Sequence, residues 1–231
     1  NWEGSIKKAT KLISKCKEAD AVKFQMWRAT DLYNMDHPDW NFIKKSEVTF
    51  KTAKKLKEIC DDYNVEFYCS AFYPEAVDCL ESLNVKRYKV ASRTCLLKDP
   101  FSKETLKREA DTKKHIIISM GMGGDKNYIK KIFSKNKITF CYCISEYPLL
   151  FQKINWENAI QFDGFSDHTL CAAAPIIYTT LKKYQGVKNI MIEKHVKLKN
   201  SKGPDAPSSM DTEEFSKMIK SIRLIENSKL N

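Results

Sequence analysis

Short apolar runs alternate with amphipathic ones along almost the whole chain. DAVKFQM, VEFYCSA, RYKVAS, HIIIS, ITFCYCIS, DGFS and IMIEKHV have the length and the β-branched or aromatic content of strands, and most segments between them repeat apolar residues at helical spacing. About seven strands in a βα rhythm imply a parallel sheet covered by helices. The last helix is the best marked: Asp211 can cap it, Glu214 answers three residues on, and Phe215, Met218, Ile219 and Ile222 form one apolar stripe. One stretch breaks the rhythm. WRATDLYNMDHPDWNFIKKS is too polar and too proline-interrupted for a strand, so it reads as an excursion after the first strand, with a lid as one use for it.

This number of strands in 231 residues favours a TIM (β/α)8 barrel with one strand missing over an open Rossmann sheet. The opening NWEGS has no methionine and runs directly into the helical IKKATKLISKCKEA. In a barrel it would be the loop after strand one. The expectation is a single barrel domain over residues 1–231, cut at its N-terminus and lacking its first strand.

Composition changes this picture little. A 42% hydrophobic chain of this length can bury one sizeable core. With no apolar run of about 18 residues and no secretory pattern at its start, the chain is expected to avoid membranes and to be cytoplasmic. The eight cysteines lie mostly inside apolar periodic segments and read as reduced, buried thiols. Cys141 and Cys143 are separated by one residue, with no second pair at metal spacing, which argues against a zinc knuckle. The net charge of +11 raises nucleic acid as a partner, but the lysines fall on the polar faces of segments such as KTAKKLKEIC, and no aromatic-basic recognition motif accompanies them. Solvated faces and attraction of a small anion account for the charge better.

Strand residues two apart share a face. Val22, Phe24 and Met26 should face the helices, leaving Lys23 and Gln25 inside; Lys89 likewise opposes Tyr88 and Val90, and Glu193 with His195 opposes Ile192 and Lys194. Ser70, Ser92, Ser119 and Ser166 fall at or near strand ends, where function gathers in a barrel. Strand-end serines also serve as helix caps. A lysine directed into a barrel is more telling, because a buried ammonium needs an anionic partner. His168 and His195 come from the last two strands and suit a divalent metal with open positions, or are simply hydrogen-bonded histidines. The amides of GMGG, Gly121 to Gly124, could cradle a phosphate or merely make a turn.

Eight ordered motifs, NWEGS, DAVKFQ, YKVAS, IIISMGM, SEYP, GFSDHT, EKHV and GPD, resemble those of the sialic acid synthase family, the N-acetylneuraminate synthase type of phosphoenolpyruvate-condensing barrel. The resemblance implies that phosphoenolpyruvate attacks the aldehyde of N-acetylmannosamine or a related amino sugar. Lys23, Ser70, Lys89, Ser92, Ser119 and Ser166 would then hold phosphoenolpyruvate, whose phosphate and carboxylate need cations and hydroxyl donors. His168 and His195 would ligate Mn2+, with Mg2+ or Co2+ as alternatives, and Glu193 would orient a metal ligand. Glu3 would position or activate water. Gln25, Tyr147 and Asp205 would contact the sugar, and Asp167 would stand at the rim. A homodimer is a further family expectation.

Four positions depart from the family pattern. Trp2 and Tyr142 replace histidines, Arg93 takes a glycine position where it would crowd a tight turn, and Thr94 takes a carboxylate position. The expected single barrel also goes without the small C-terminal antifreeze-like domain usual in bacterial members. Thr94 and Arg93 motivate an alternative: a degenerate barrel that binds sugar or phosphate ligands without turnover.

Overall fold

The computed structural model describes residues 2–229, so Asn1 of the NWEGS motif lies outside it. Seven strands, β1 (Ala21–Met26), β2 (Glu66–Ala71), β3 (Arg87–Val90), β4 (His115–Ser119), β5 (Ile138–Cys143), β6 (Gly164–Asp167) and β7 (Met191–Lys194), pair in chain order. Every pairing is parallel. Helix α1 (Ile6–Lys15) precedes β1, and α2 (Ala29–Leu32) and α3 (Trp40–Lys45) form the excursion. The crossovers then carry α4 (Phe50–Asp62), α5 (Pro74–Ser82), α6 (Ser102–Asp111), α7 (Lys126–Ile132), α8 (Trp156–Ala159) and α9 (Ala173–Tyr184). After β7, the two-residue strands β8 (Val196–Lys197) and β9 (Met210–Asp211) pair and lead into α10 (Thr212–Asn227), which Asp211 caps by accepting from the amides of Glu213 and Glu214.

Alternation along the strands produces two different faces. Val22, Phe24 and Met26 of β1, Phe67 and Cys69 of β2, Tyr88 and Val90 of β3, and Ile116 and Ile118 of β4 join Leu12, Leu56, Leu80 and Leu106 of the helices in the main core. The opposite face carries the small cluster Tyr68, Ile117 and Cys141, and then the polar residues. The sheet curls strongly. Lys23 of β1 and Glu193 of β7 approach to 3.4 Å, whereas six flat steps of about 4.8 Å would separate their strands by about 29 Å. It is nevertheless open: β1 and β7 do not pair, so the expected barrel is a curled half-barrel among the described residues.

Two of the sequence departures take defined places, and that of Arg93 differs from expectation. Arg93 does not crowd a turn. Its backbone is right-handed helical (φ −60°, ψ −43°), and its guanidinium donates to Asp99 Oδ2 at 2.6 Å and the Leu32 carbonyl at 3.1 Å. Tyr142 points away from the inner face. It packs with Phe165 and Tyr178, and its hydroxyl accepts the amide of Asn155 at 3.0 Å.

The excursion packs against its surroundings at several points. Arg93 holds Leu32, as above. A Cβ at Gly4, whose φ is +63°, would lie 2.0 Å from the Lys45 carbonyl oxygen, and one at Gly203 would lie 2.4 Å from the Phe42 ring. Only glycine permits either approach. Six cysteines are buried, Cys143 is half-buried and Cys171 is exposed, all with free thiols. No helix among the described residues is long and apolar enough to cross a membrane.

Candidate active site

At the carboxyl end of the sheet, the inner face gathers charge from strands far apart in sequence. Lys89 is only 2% exposed. Its Nζ donates to Ser119 Oγ at 2.7 Å and lies 3.3 Å from Glu193 Oε1, which also accepts from Ser166 Oγ at 2.8 Å. With Lys23 on the other carboxylate oxygen, two cations share one anion. Burial would raise the Glu193 carboxyl, but Lys23 and Lys89 outweigh it and hold that group well below the usual carboxylate range. For Lys89, burial acts to lower the pKa and the Glu193 carboxylate more than reverses it, so the buried ammonium stays charged.

This cluster is incompletely satisfied. Ser70 Oγ and Glu193 Oε2 are buried without a hydrogen-bond partner. The Ser70 hydroxyl can donate to a ligand acceptor, and Glu193 Oε2 can accept from a ligand hydroxyl or water. Ser92 Oγ accepts the Gly121 amide at 3.0 Å and touches Cys143 Sγ at 3.7 Å. A Cβ at Gly121 would come within 2.8 Å of Cys143 and Ser145, so this glycine permits a close approach, and its amide is already engaged by Ser92.

The register Ser166↔Glu193 and Asp167↔Lys194 delivers the next residues, His168 and His195, side by side. Their ring centroids are 5.3 Å apart, and the Tyr147 ring lies 4.3 Å from His168 and 6.2 Å from His195. His168 Nδ1 is 2.7 Å from the Ile144 carbonyl. A carbonyl can only accept, so Nδ1 carries the proton and Nε2 keeps its lone pair. Burial lowers both imidazole pKa values; that of His195 falls to about 3, with Lys23 adding to the effect. Both rings are therefore neutral at pH 7, the state a metal requires. No group of three or more His, Cys, Asp or Glu side chains converges as a metal site among the described residues. The two imidazoles fit an ion whose other positions belong to substrate and water.

A cavity of about 1210 Å3 opens over this face and along the gap between β1 and β7. Gln25, Ser92, Tyr147, Glu193, His195 and Asp205 line it, as does Glu3. Ser70, Lys89, Ser119, Ser166 and His168 are buried below its walls. Glu3 accepts the Lys202 amide at 3.0 Å and binds the Lys8 ammonium. Burial would raise its carboxyl, but these partners prevail and lower it. Asp205 stands exposed where the 206–208 turn begins.

The expected residues thus converge, with one exception. Asp167 is not at the rim: it is 1% exposed and points to the helix side, where it pairs with Lys194. Alternation would have placed it there, because Ser166 already takes the inner face. The role of Glu193 as shared counter-ion of both lysines also escapes single-sequence reading, since it depends on the curl that joins β1, β3 and β7.

A curled parallel sheet that sets one buried and one half-buried cation, hydroxyls and two neutral imidazoles at its carboxyl end defines an α/β protein with a candidate anion site beside a candidate metal site. The chain belongs to the NeuB family, whose model matches residues 11–230. It is 33% identical over 242 residues to an uncharacterized protein of Methanocaldococcus jannaschii, covering 98% of this chain and 68% of that one. It is 29% identical over 256 residues to the N,N'-diacetyllegionaminic acid synthase of Legionella pneumophila, covering 96% and 69%. The sialic acid synthetase structure from Leptospira borgpetersenii shares the fold, with a TM-score of 0.85 at 24% identity over 100% of this chain and 84% of that one.

Proposed function

We propose that the protein condenses phosphoenolpyruvate with an open-chain amino-sugar aldehyde, N-acetylmannosamine or a relative, to give a nine-carbon sialic-type acid and inorganic phosphate. The observation that carries this reading is the cluster of half-buried Lys23, buried Lys89 and serines beside two neutral imidazoles. A dianionic phosphate and a carboxylate need such cations and donors, and the family's named synthases for legionaminic and sialic-type acids support the class of acceptor.

In this reading Lys23, Lys89, Ser70, Ser92, Ser119 and Ser166 hold phosphoenolpyruvate, and Glu193 keeps the buried Lys89 charged while pairing with Lys23. Gln25, Tyr147 and Asp205 orient the sugar. Glu3, held as a carboxylate, positions the water that adds to carbon 2 before the C–O bond to phosphate breaks. His168 and His195 would hold Mn2+, or Mg2+ or Co2+ in its place, which when bound supplies Lewis-acid polarisation of the aldehyde. We also read the half-barrel as a (β/α)8 barrel that one further strand between β1 and β7 would close. Arg93 lines the cavity with its guanidinium held by Asp99 and the Leu32 carbonyl, and its helical backbone leaves the turn at the end of β3 unstrained, which favours turnover over a degenerate barrel.

The test is phosphate release from phosphoenolpyruvate with Mn2+ and a panel of N-acetylmannosamine derivatives, using EDTA and His168→Ala as controls. Release that requires both acceptor and metal is expected. Folded protein that binds phosphoenolpyruvate but releases no phosphate with any acceptor would overturn the proposal in favour of a binding protein.

A further inference from the structure

Directly behind the two imidazoles lies an ion pair that no step above uses. Asp167 Oδ2 and Lys194 Nζ are 2.5 Å apart, with side chains 0% and 1% exposed. The pair is closed onto the chain next to His168. Asp167 accepts the Thr169 amide at 2.9 Å and the Thr169 hydroxyl at 3.0 Å, and Lys194 donates to the Thr169 carbonyl. The His168 carbonyl accepts the Leu149 amide at 2.9 Å. Each member of the pair immediately precedes one imidazole, and the two are register partners on neighbouring strands. Net stabilisation does not account for such a pair, because desolvation of two buried charges offsets most of their attraction.

We propose that Asp167 and Lys194 are positioning residues: they lock the ends of β6 and β7 together and fix the 168–169 peptide, so that His168 and His195 face each other across the width of one divalent ion. This rests on reading the imidazoles as the metal site. A clamp of this kind acts on metal affinity and leaves the anion cluster on the other face of the same strands undisturbed.

The experiment measures two affinities on the full chain: Mn2+ alone, from the electron paramagnetic resonance signal of the free ion, and phosphoenolpyruvate in EDTA, by calorimetry. A single substitution would strand a buried charge, so the variants are the neutral double change Asp167→Asn with Lys194→Met, and the milder Thr169→Val. The expected result is a Kd for Mn2+ raised about tenfold or more in the double variant and less in Thr169→Val, with phosphoenolpyruvate affinity held within about twofold. Unchanged Mn2+ affinity would overturn the clamp, as would equal losses of both affinities, which indicate general loosening. Failure of both variants to fold would also overturn it, by making the pair a stability element. A wild-type chain that binds phosphoenolpyruvate but no Mn2+ would show that the metal reading, rather than the clamp alone, is at fault.

Discussion

The last two strands carry two buried ion clusters back to back, and they are built differently. On the inner face, Glu193 meets Lys23 and Lys89 at 3.4 and 3.3 Å, and a carboxylate oxygen and the Ser70 hydroxyl have no hydrogen-bond partner. One residue further along, on the outer face, Asp167 and Lys194 meet at 2.5 Å and use their remaining capacity on Thr169. A closed cluster fixes geometry. An open one, with more cation than anion, has bonding capacity left over that a ligand can use.

The largest expected effect comes from the open cluster. Lys89→Met removes a charge that a bound phosphate or carboxylate would contact, and acceptor-dependent phosphate release should fall at least about a hundredfold. Phosphoenolpyruvate at 100 times its Kd should stabilise the wild-type chain by about 2.7 kcal/mol, visible as a raised Tm, and this rise should vanish in the variant. A Lys89→Met chain that is still protected by phosphoenolpyruvate would show that the inner cluster is no more a ligand site than the outer one.

A buried carboxyl with no cation beside it among the described residues sharpens the contrast from the other direction. Glu109 of α6 faces the outer side of the sheet at 1% exposure, and neither oxygen makes a well-formed hydrogen bond, although the Ala71 amide lies close enough to act on the carboxyl. Burial raises its pKa well above the ordinary value. Below the unfolded pKa of about 4.3 both states are protonated and Glu109 costs nothing through ionisation. As pH rises past that point, the unfolded chain releases the proton and the folded one retains it, so stability falls. Glu109→Gln should therefore match the wild type near pH 4 and melt progressively higher as pH rises, with each kcal/mol worth about 2–4 °C. Parallel melting curves from pH 4 to 8 would mean that Glu109 is already ionised and paired in the folded state.

How much of this is legible in the sequence depends on the range of the interactions. Two-residue alternation alone assigns Lys23, Lys89 and Glu193 to one face and Val22, Phe24, Tyr88 and Val90 to the other, because a strand's faces are a local property. The convergence of three strands on Glu193 is not local, and neither is the gap between β1 and β7. Arg93 shows the same limit. Its identity at a turn suggests crowding, but its backbone is helical and its partners, Asp99 and Leu32, include one 61 residues away. Asp167 could have been placed correctly from Ser166 beside it; the loop position of its neighbour His168 obscured the alternation.

The smallest effect tests the assignment of faces itself. Tyr142 is 6% exposed and stacks on Phe165 at 5.8 Å between ring centroids, while its hydroxyl accepts the Asn155 amide at the start of α8. Tyr142→Phe keeps the stacking and removes that acceptor, which should cost about 1 kcal/mol by denaturant unfolding. Because the ring is on the helix side of β5, phosphate release and the affinities for phosphoenolpyruvate and Mn2+ should not change. That outcome would make the replacement of a family histidine by Tyr142 a change in packing, with no chemistry lost from the site. A fall in turnover at unchanged stability would instead place this side chain among the inner groups, and the two faces of β5 would have to be exchanged.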